Sequence, residues 1–164
     1  MPEAYPLSGI QKEIQHLLAE KYKFSGEIRL DHTTRWLYST DASIYQIEPL
    51  GVVFPKSMED LAKVMTLANE LHFPLLPRGS GSSLAGQAIG SGLILDCTRH
   101  LNHILEINPE ARTAVIEPGV ILNTLNREAN RYQLQFGPDP ASAERATLGG
   151  CLANNASGAH SILY

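Results

Sequence analysis

The stretch PRGSGSSLAGQA at 77–88 decides how the rest of this chain is read. It sets Gly79, Gly81 and Gly86 among Ser80, Ser82 and Ser83, directly after the apolar run FPLL at 73–76. Glycine tolerates positive φ and carries no Cβ, so consecutive backbone N–H groups can converge on one point. Small hydroxyl side chains add donors without bulk. A loop of this make-up suits one phosphate, or two linked ones. The same composition also describes a solvated Gly/Ser linker. Apolar segments flank it on both sides, however, which marks a connection held within a fold.

Two standard phosphate motifs fail here. The run GSSLAGQA at 81–88 has the glycine spacing of the nucleotide-triphosphatase loop, but Gln87 and Ala88 stand where Lys and Ser or Thr are required. In the dinucleotide fingerprint a third glycine would fall at Leu84 and a helix would follow. Instead Gly90 and Gly92 lead into LILD at 93–96, which reads as a strand. The loop therefore lies in a strand–loop–strand setting.

Before the loop, GVVF at 51–54 is a short apolar run closed by Pro55, a buried strand. Ser57 with Asp60 opens a helix whose inner face is Leu61, Val64, Met65, Ala68 and Leu71, and Pro74 ends it. Leu75 and Leu76 start the next strand. Strand, helix, strand in this order is a crossover unit with parallel strands. Upstream, Ser8 and Gln11 form a capping box for a helix reaching about Tyr22, with Ile10, Ile14, Leu17 and Leu18 on one face. Residues 23–50 keep no period and read as a long packed connection with at most a helical turn.

Downstream, 104–107 and 113–116 flank the turn signal NPEA at 108–111 and predict a hairpin. Pro118-Gly119 breaks the chain, and 120–132 resumes helical spacing through Val120, Leu122, Leu125 and Ala129. LQF at 134–136 reads as a strand and GPDPAS at 137–142 as a rigid loop. TLGGCLANNASG at 147–158 is a second glycine-rich stretch with an apolar face. A short helix starting near Thr147 would aim free N–H groups at an anion. Two such stretches suggest one extended anionic ligand held from two sides.

Composition narrows the classes. At 164 residues and 43% hydrophobic content, the chain is sized for one ordinary domain. Thirteen basic against seventeen acidic residues give a net charge of −4 with no basic run, which argues against nucleic acid as a partner. No apolar stretch has the length of a transmembrane segment, and MPEAYPLSG at 1–9 lacks a leader pattern, so a cytoplasmic location is expected. Cys97 and Cys151 match no metal or redox spacing and read as small buried residues in a reducing compartment.

These residues together resemble the N-terminal FAD-binding domain of the FAD-linked oxidases of the vanillyl-alcohol oxidase and p-cresol methylhydroxylase type. Within that family the D-lactate and glycolate dehydrogenase branch is the most similar. The resemblance is carried by YSTDASIY at 38–45, VVFP at 52–55, PRGSGSSLAGQ at 77–87, EPG at 117–119, ATLGG at 146–150 and NASG at 155–158. It implies an α+β fold, with a first subdomain of small mixed sheet flanked by helices and the start of a second subdomain. The implied organisation is an N-terminal helix and connection over 1–48 and the FAD-binding domain over 49–164, continuing in family members beyond the length seen here.

The resemblance also implies the contacts. Arg78, Gly79, Ser80, Gly81, Ser82 and Ser83, with Gly86 and Gln87, would wrap the FAD pyrophosphate. Pro118 and Gly119 would lie near the adenine. Pro138, Asp139, Thr147, Gly149, Gly150, Asn154, Ser157 and Gly158 would line the side toward ribityl and flavin. Family members with a covalent flavin often carry His about where this chain has Ser82, so a non-covalent FAD is expected. The implied reaction is oxidation of a small D-2-hydroxy acid such as D-lactate, glycolate or D-2-hydroxyglutarate. Catalytic residues and the substrate site fall in the part of family enzymes beyond Tyr164. That length difference implies uncovered apolar edges and self-association.

Other readings stay open: a nucleotide-binding or interaction module without turnover, or a shortened remnant that folds only with a partner chain. The six histidines are scattered, without metal-ligand spacing, and read as packing or surface groups; His160, just after the second stretch, is the exception to weigh. Asp41 and Tyr45 read as fixing the 36–47 connection. Asp139 reads as structural or flavin-adjacent. Arg78 is either a fixed charge for phosphate or a pin between the loop and a neighbouring strand.

Overall fold

The computed structural model describes residues 8–160 and residue 162. Residues 1–7, part of the expected 1–48 segment and of the stretch read as lacking a leader, lie outside the described residues, as do 161, 163 and 164. The chain divides after Asp96 into two compact units.

The first unit holds three helices with side-chain caps. Ser8 and Gln11 close the capping box, with Ser8 N–H donating to Gln11 Oε1 at 2.8 Å. Helix α1 (Gly9–His16) runs on into a π-helical turn at Leu17–Lys21. Gln11 also donates to the Leu50 carbonyl at 2.6 Å, tying the helix to the entry of the sheet. Strand β1 (Glu27–Arg29) and helix α2 (His32–Leu37), capped by Asp31, occupy the region without sequence period. Strand β2 (Gly51–Phe54) then leads to helix α3 (Met58–Leu71), capped by Ser57. Asp60 is buried and accepts from Ser25 N, Ser25 Oγ and Lys56 N, with Lys63 Nζ at 3.7 Å. A buried carboxylate so satisfied joins three segments without an orphaned charge.

Strands β3 (Leu75–Arg78) and β4 (Leu93–Asp96) complete a four-stranded mixed sheet of order β1-β2-β4-β3. β2, β4 and β3 are parallel, and β1 pairs antiparallel with β2. The crossover expectation holds for direction, with β4 inserted between β2 and β3. Alternation sorts the side chains by face. Val53, Leu93 and Leu95 join Ile14, Leu18, Val64 and Leu67 in one core, while Val52, Phe54 and Ile94 pack with Tyr38 and Leu76 on the other face. Each fully buried Val or Leu here contributes about 1.5–3 kcal/mol. Met65, expected on the inner face of α3, is 61% exposed, and Leu67 is buried instead. The buried stripe runs through Val64, Leu67, Ala68 and Leu71, which turns Met65 toward solvent.

The second unit opens with the expected hairpin. Strands β5 (Ile104–Asn108) and β6 (Thr113–Ile116) are antiparallel, with a register irregularity between Ile104 and Glu106. Helix α4 (Leu122–Ala129) ends in a 3₁₀ turn at Asn130–Tyr132, and helix α5 (Leu148–Ala153) starts at its N-cap Thr147. Val120, Leu122, Leu125, Ala146, Leu148 and Cys151 form the core. Residues 134–136 are not a strand, contrary to their sequence pattern. Leu134 N–H donates to the Ala129 carbonyl and Phe136 N–H to Asn126 Oδ1, so these groups close the end of α4 and offer no ladder. Cys97 and Cys151 are buried and not joined in a disulfide. Among the described residues no helix is long and apolar enough to cross a membrane.

Candidate functional site

The first glycine-rich loop leaves β3 at Arg78 and returns to β4 at Leu93. Gly81 and Gly86 have φ of +69° and +79°, a region that L side chains rarely occupy. Ser83 organises the turn: its hydroxyl accepts from Gln87 N–H at 3.2 Å and from Ala85 N–H at 3.3 Å, and bonds Gln87 Oε1. Asp41 holds the exit, accepting from Ala88 N–H at 3.2 Å and from Ser43 N–H at 2.8 Å. Burial works against the Asp41 charge, but hydrogen bonds from Ser43 and Ala88 and the field of Arg78 outweigh it and hold its carboxyl below the usual range. Among the described residues, the N–H groups of Ser80, Gly81, Ser82 and Ser83 have no protein acceptor. Four successive unpaired donors beside a left-handed glycine fit an anion with several oxygens.

Arg78 is half-buried. Its Nη1 donates to the Ala88 carbonyl at 2.8 Å and more weakly to that of Tyr38 at 3.4 Å, while Nη2 donates to Thr40 O at 2.9 Å. Burial draws its pKa down against the opposing pull of Tyr38, Asp96 and Asp41, and a guanidinium stays charged at neutral pH regardless.

The second stretch is built differently. The N-terminal amides of α5 were expected to be free for an anion, and they are not. Leu148 N–H donates to Val120 O, Gly149 N–H to Pro118 O and Gly150 N–H to Thr147 Oγ1. A Cβ on Gly149 would meet Pro118 at 2.8 Å, so this glycine admits close packing of the helix against the Pro118-Gly119 turn. Asp139 accepts from His160 N–H at 3.0 Å and bonds the His160 ring, and these bonds hold its carboxyl below the usual range. Asn154 and Ser157 are exposed side chains of this segment. Among the described residues no group of three His, Cys, Asp or Glu side chains is placed to hold a metal ion.

Comparisons with known proteins give the family. Residues 49–164 match the FAD binding domain family model. The chain belongs to that family. It is 37% identical over its whole length to D-2-hydroxyglutarate dehydrogenase of Escherichia coli K12, covering 17% of that protein. It is 34% identical to the glycolate oxidase subunit GlcD of Bacillus subtilis, over 94% of this chain and 33% of that one. Among solved structures, alkyldihydroxyacetonephosphate synthase superposes with a TM-score of 0.79 at 24% identity, over 98% of this chain and 32% of that chain. The fold is thus the α+β fold of FAD-binding proteins, and FAD is the cofactor. The chain spans from about a sixth to a third of these relatives.

The expected site residues Arg78, Gly79, Ser80, Gly81, Ser82, Ser83, Gly86 and Gln87 come together in one loop of the first unit. Pro118, Gly119, Pro138, Asp139, Thr147, Gly149, Gly150, Asn154, Ser157 and Gly158 belong to the second unit. Sequence reasoning missed Tyr38, Thr40 and Asp96 as supports of the first loop. Their signal was faint: a tyrosine in an aperiodic segment and one acid ending an apolar strand.

Proposed function

We propose that the chain is the FAD-binding front part of an oxidoreductase acting on a small D-2-hydroxy acid, with the loop at 78–87 holding the pyrophosphate. The observation that carries this reading is the run of unpaired amides at 80–83, in a loop where Gly81 and Gly86 hold backbone conformations that only glycine adopts readily. Bound FAD would supply a hydride acceptor, and the chain's part is to bind and orient it. The loop amides and the Ser80 and Ser82 hydroxyls donate to phosphate oxygens, and Ser83 and Gln87 hold the turn. Arg78 contributes through its backbone. Pro118, Gly119, Pro138, Asp139, Thr147, Gly149, Gly150, Asn154, Ser157 and Gly158 are proposed as further lining on the family resemblance. Ser82 offers no imidazole for a flavin bond, which supports non-covalent binding. Residues 49–164 are proposed as the FAD-binding portion, with 1–48 as its leading helix and connection.

The 2-hydroxy acid class rests on the names of the relatives. Cytoplasmic location is supported by two buried cysteines that form no disulfide. Exposed Leu105, Val115 and Leu152 support self-association, which sedimentation over a concentration series reads directly. The central test is gel filtration of the chain with FAD, followed by anaerobic addition of D-2-hydroxyglutarate, glycolate or D-lactate. Flavin absorbance that travels with the protein upholds the reading, and none overturns it. Reduction by one of the acids would place substrate groups within residues 1–164.

A further inference from the structure

A guanidinium at the opening of a phosphate loop invites the view that it neutralises the ligand. The hydrogen bonds of Arg78 run the other way, into the protein. The carbonyls of Ala88, Thr40 and Tyr38 converge on its two terminal nitrogens at 2.8, 2.9 and 3.4 Å. Its Cζ lies 5.0 Å from the centre of the Tyr38 ring. The Tyr38 hydroxyl in turn donates to Asp96 Oδ2 at 2.6 Å, and Asp96 is buried at the end of β4. A Cβ built on Gly81 would come within 2.5 Å of Nη2, so the guanidinium packs directly beneath that glycine.

This arrangement joins four pieces of chain: the 38–40 connection, the start of the loop, its exit at Ala88 and the end of the central strand. Ala88 is clasped twice, its carbonyl by Arg78 and its N–H by Asp41. Gathering three carbonyl oxygens calls for a planar cation with several fixed N–H donors; an ammonium is a point charge with a different fan of donors. A cation so enclosed needs acids nearby, and Asp41 and Asp96 are there.

We propose that Arg78, Tyr38 and Asp96 form a strut that presets the 79–88 loop for the FAD pyrophosphate, with Arg78 a positioning residue and not a phosphate ligand. The proposal rests on the FAD reading for the identity of the ligand, and on the loop's own geometry for the strut. Affinity then depends on side chains that never touch the ligand, because a preset loop loses less freedom on binding.

The test compares Arg78→Lys, Arg78→Met, Tyr38→Phe and the Tyr38→Phe/Arg78→Met pair in the 164-residue chain, each checked for folding by circular dichroism. Hydrogen exchange at the Gln87 and Ala88 amides is read without ligand, and FAD titrations are run at several ionic strengths. Both Arg78 variants should weaken FAD about tenfold or more and speed exchange by a similar factor, with the salt dependence of affinity unchanged. Tyr38→Phe, which removes one oxygen atom, should act in the same direction by about threefold. The pair should be no weaker than Arg78→Met alone, since both changes break one unit. Near-wild-type affinity in Arg78→Lys beside a loss in Arg78→Met would overturn the strut in favour of direct neutralisation. Unchanged exchange in every variant would overturn it too. If the wild-type chain retains no FAD, the functional reading fails, while the exchange rates still decide the strut.

Discussion

The two glycine-rich stretches look alike as sequence and use glycine for opposite purposes. In the first, Gly81 and Gly86 put the backbone in the left-handed region, leaving the amides of 80–83 without protein acceptors. In the second, Gly149 lets a helix approach the Pro118-Gly119 turn, and its first amides are occupied by Pro118, Val120 and Thr147. One stretch is open to an anion, and the other is a packing joint. The lesson is that glycine density signals close approach or unusual φ, and only the partners of the amides say which.

The largest effect should come from Gly81→Val. It places a β-branched residue at φ +69° with its Cβ against Arg78, a strain on the order of 1–3 kcal/mol before any clash is counted. FAD titration should show a loss of roughly 100-fold, with circular dichroism close to wild type. Gly86→Val, at φ +79° with the Tyr45 ring 3.0 Å from the new Cβ, should behave alike. Unchanged affinity in both would return this loop to the status of a linker and remove the contrast.

Gly149→Ala should strike stability. The new methyl meets Pro118 Cβ and O at 2.8 Å, and backbone cannot swing aside as a long side chain can. Overpacking of this kind costs about 1–3 kcal/mol, read as a lowered unfolding midpoint in denaturant. A stable Gly149→Ala would mean the joint is looser than its geometry.

A third test uses acid. Asp41 has a folded pKa below its ordinary 3.8, so its contribution is present above that value and is lost as pH falls through the depressed one. Protection of the Ala88 amide, taken relative to its intrinsic exchange rate, should fall as pH drops through that depressed value, and Asp41→Asn should remove that dependence. No comparable acid step is expected at the α5 amides, whose acceptors are two carbonyls and a hydroxyl.

The smallest effect is expected at Gly150, whose added Cβ would meet only Thr147 Oγ1, at 3.1 Å. Gly150→Ala gains helix propensity and loses a little room, so stability should move by less than about 1 kcal/mol. A large drop, measured by the same denaturation curves, would show that the joint extends a full residue further into the helix.

Much of this was legible in the chain itself. Ser8 with Gln11 and Ser57 with Asp60 announced two helices, because caps are local chemistry acting over three residues. The run at 93–96 announced a strand through three consecutive apolar residues after Gly92, and its burial on both faces came with the fold. Strand β1 was not legible: three residues with one apolar side chain carry no period, and pairing with β2 alone makes them a strand. Residues 134–136 failed in the opposite sense, having strand-like residues whose Leu134 and Phe136 amides are taken by the end of α4.

What the sequence determined alone is the set of locally encoded features: helix starts, the crossover direction, the positive-φ glycines and the family to which the loop belongs. Tertiary structure decided which donors remain unpaired. Whether the Leu148 amide meets Val120 or solvent depends on a carbonyl 28 residues away by chain number. Whether Arg78 faces phosphate or carbonyls depends on Thr40 and Ala88 arriving beside it. Hydrogen-bond saturation is a property of three-dimensional neighbours, and no local pattern of residues records it.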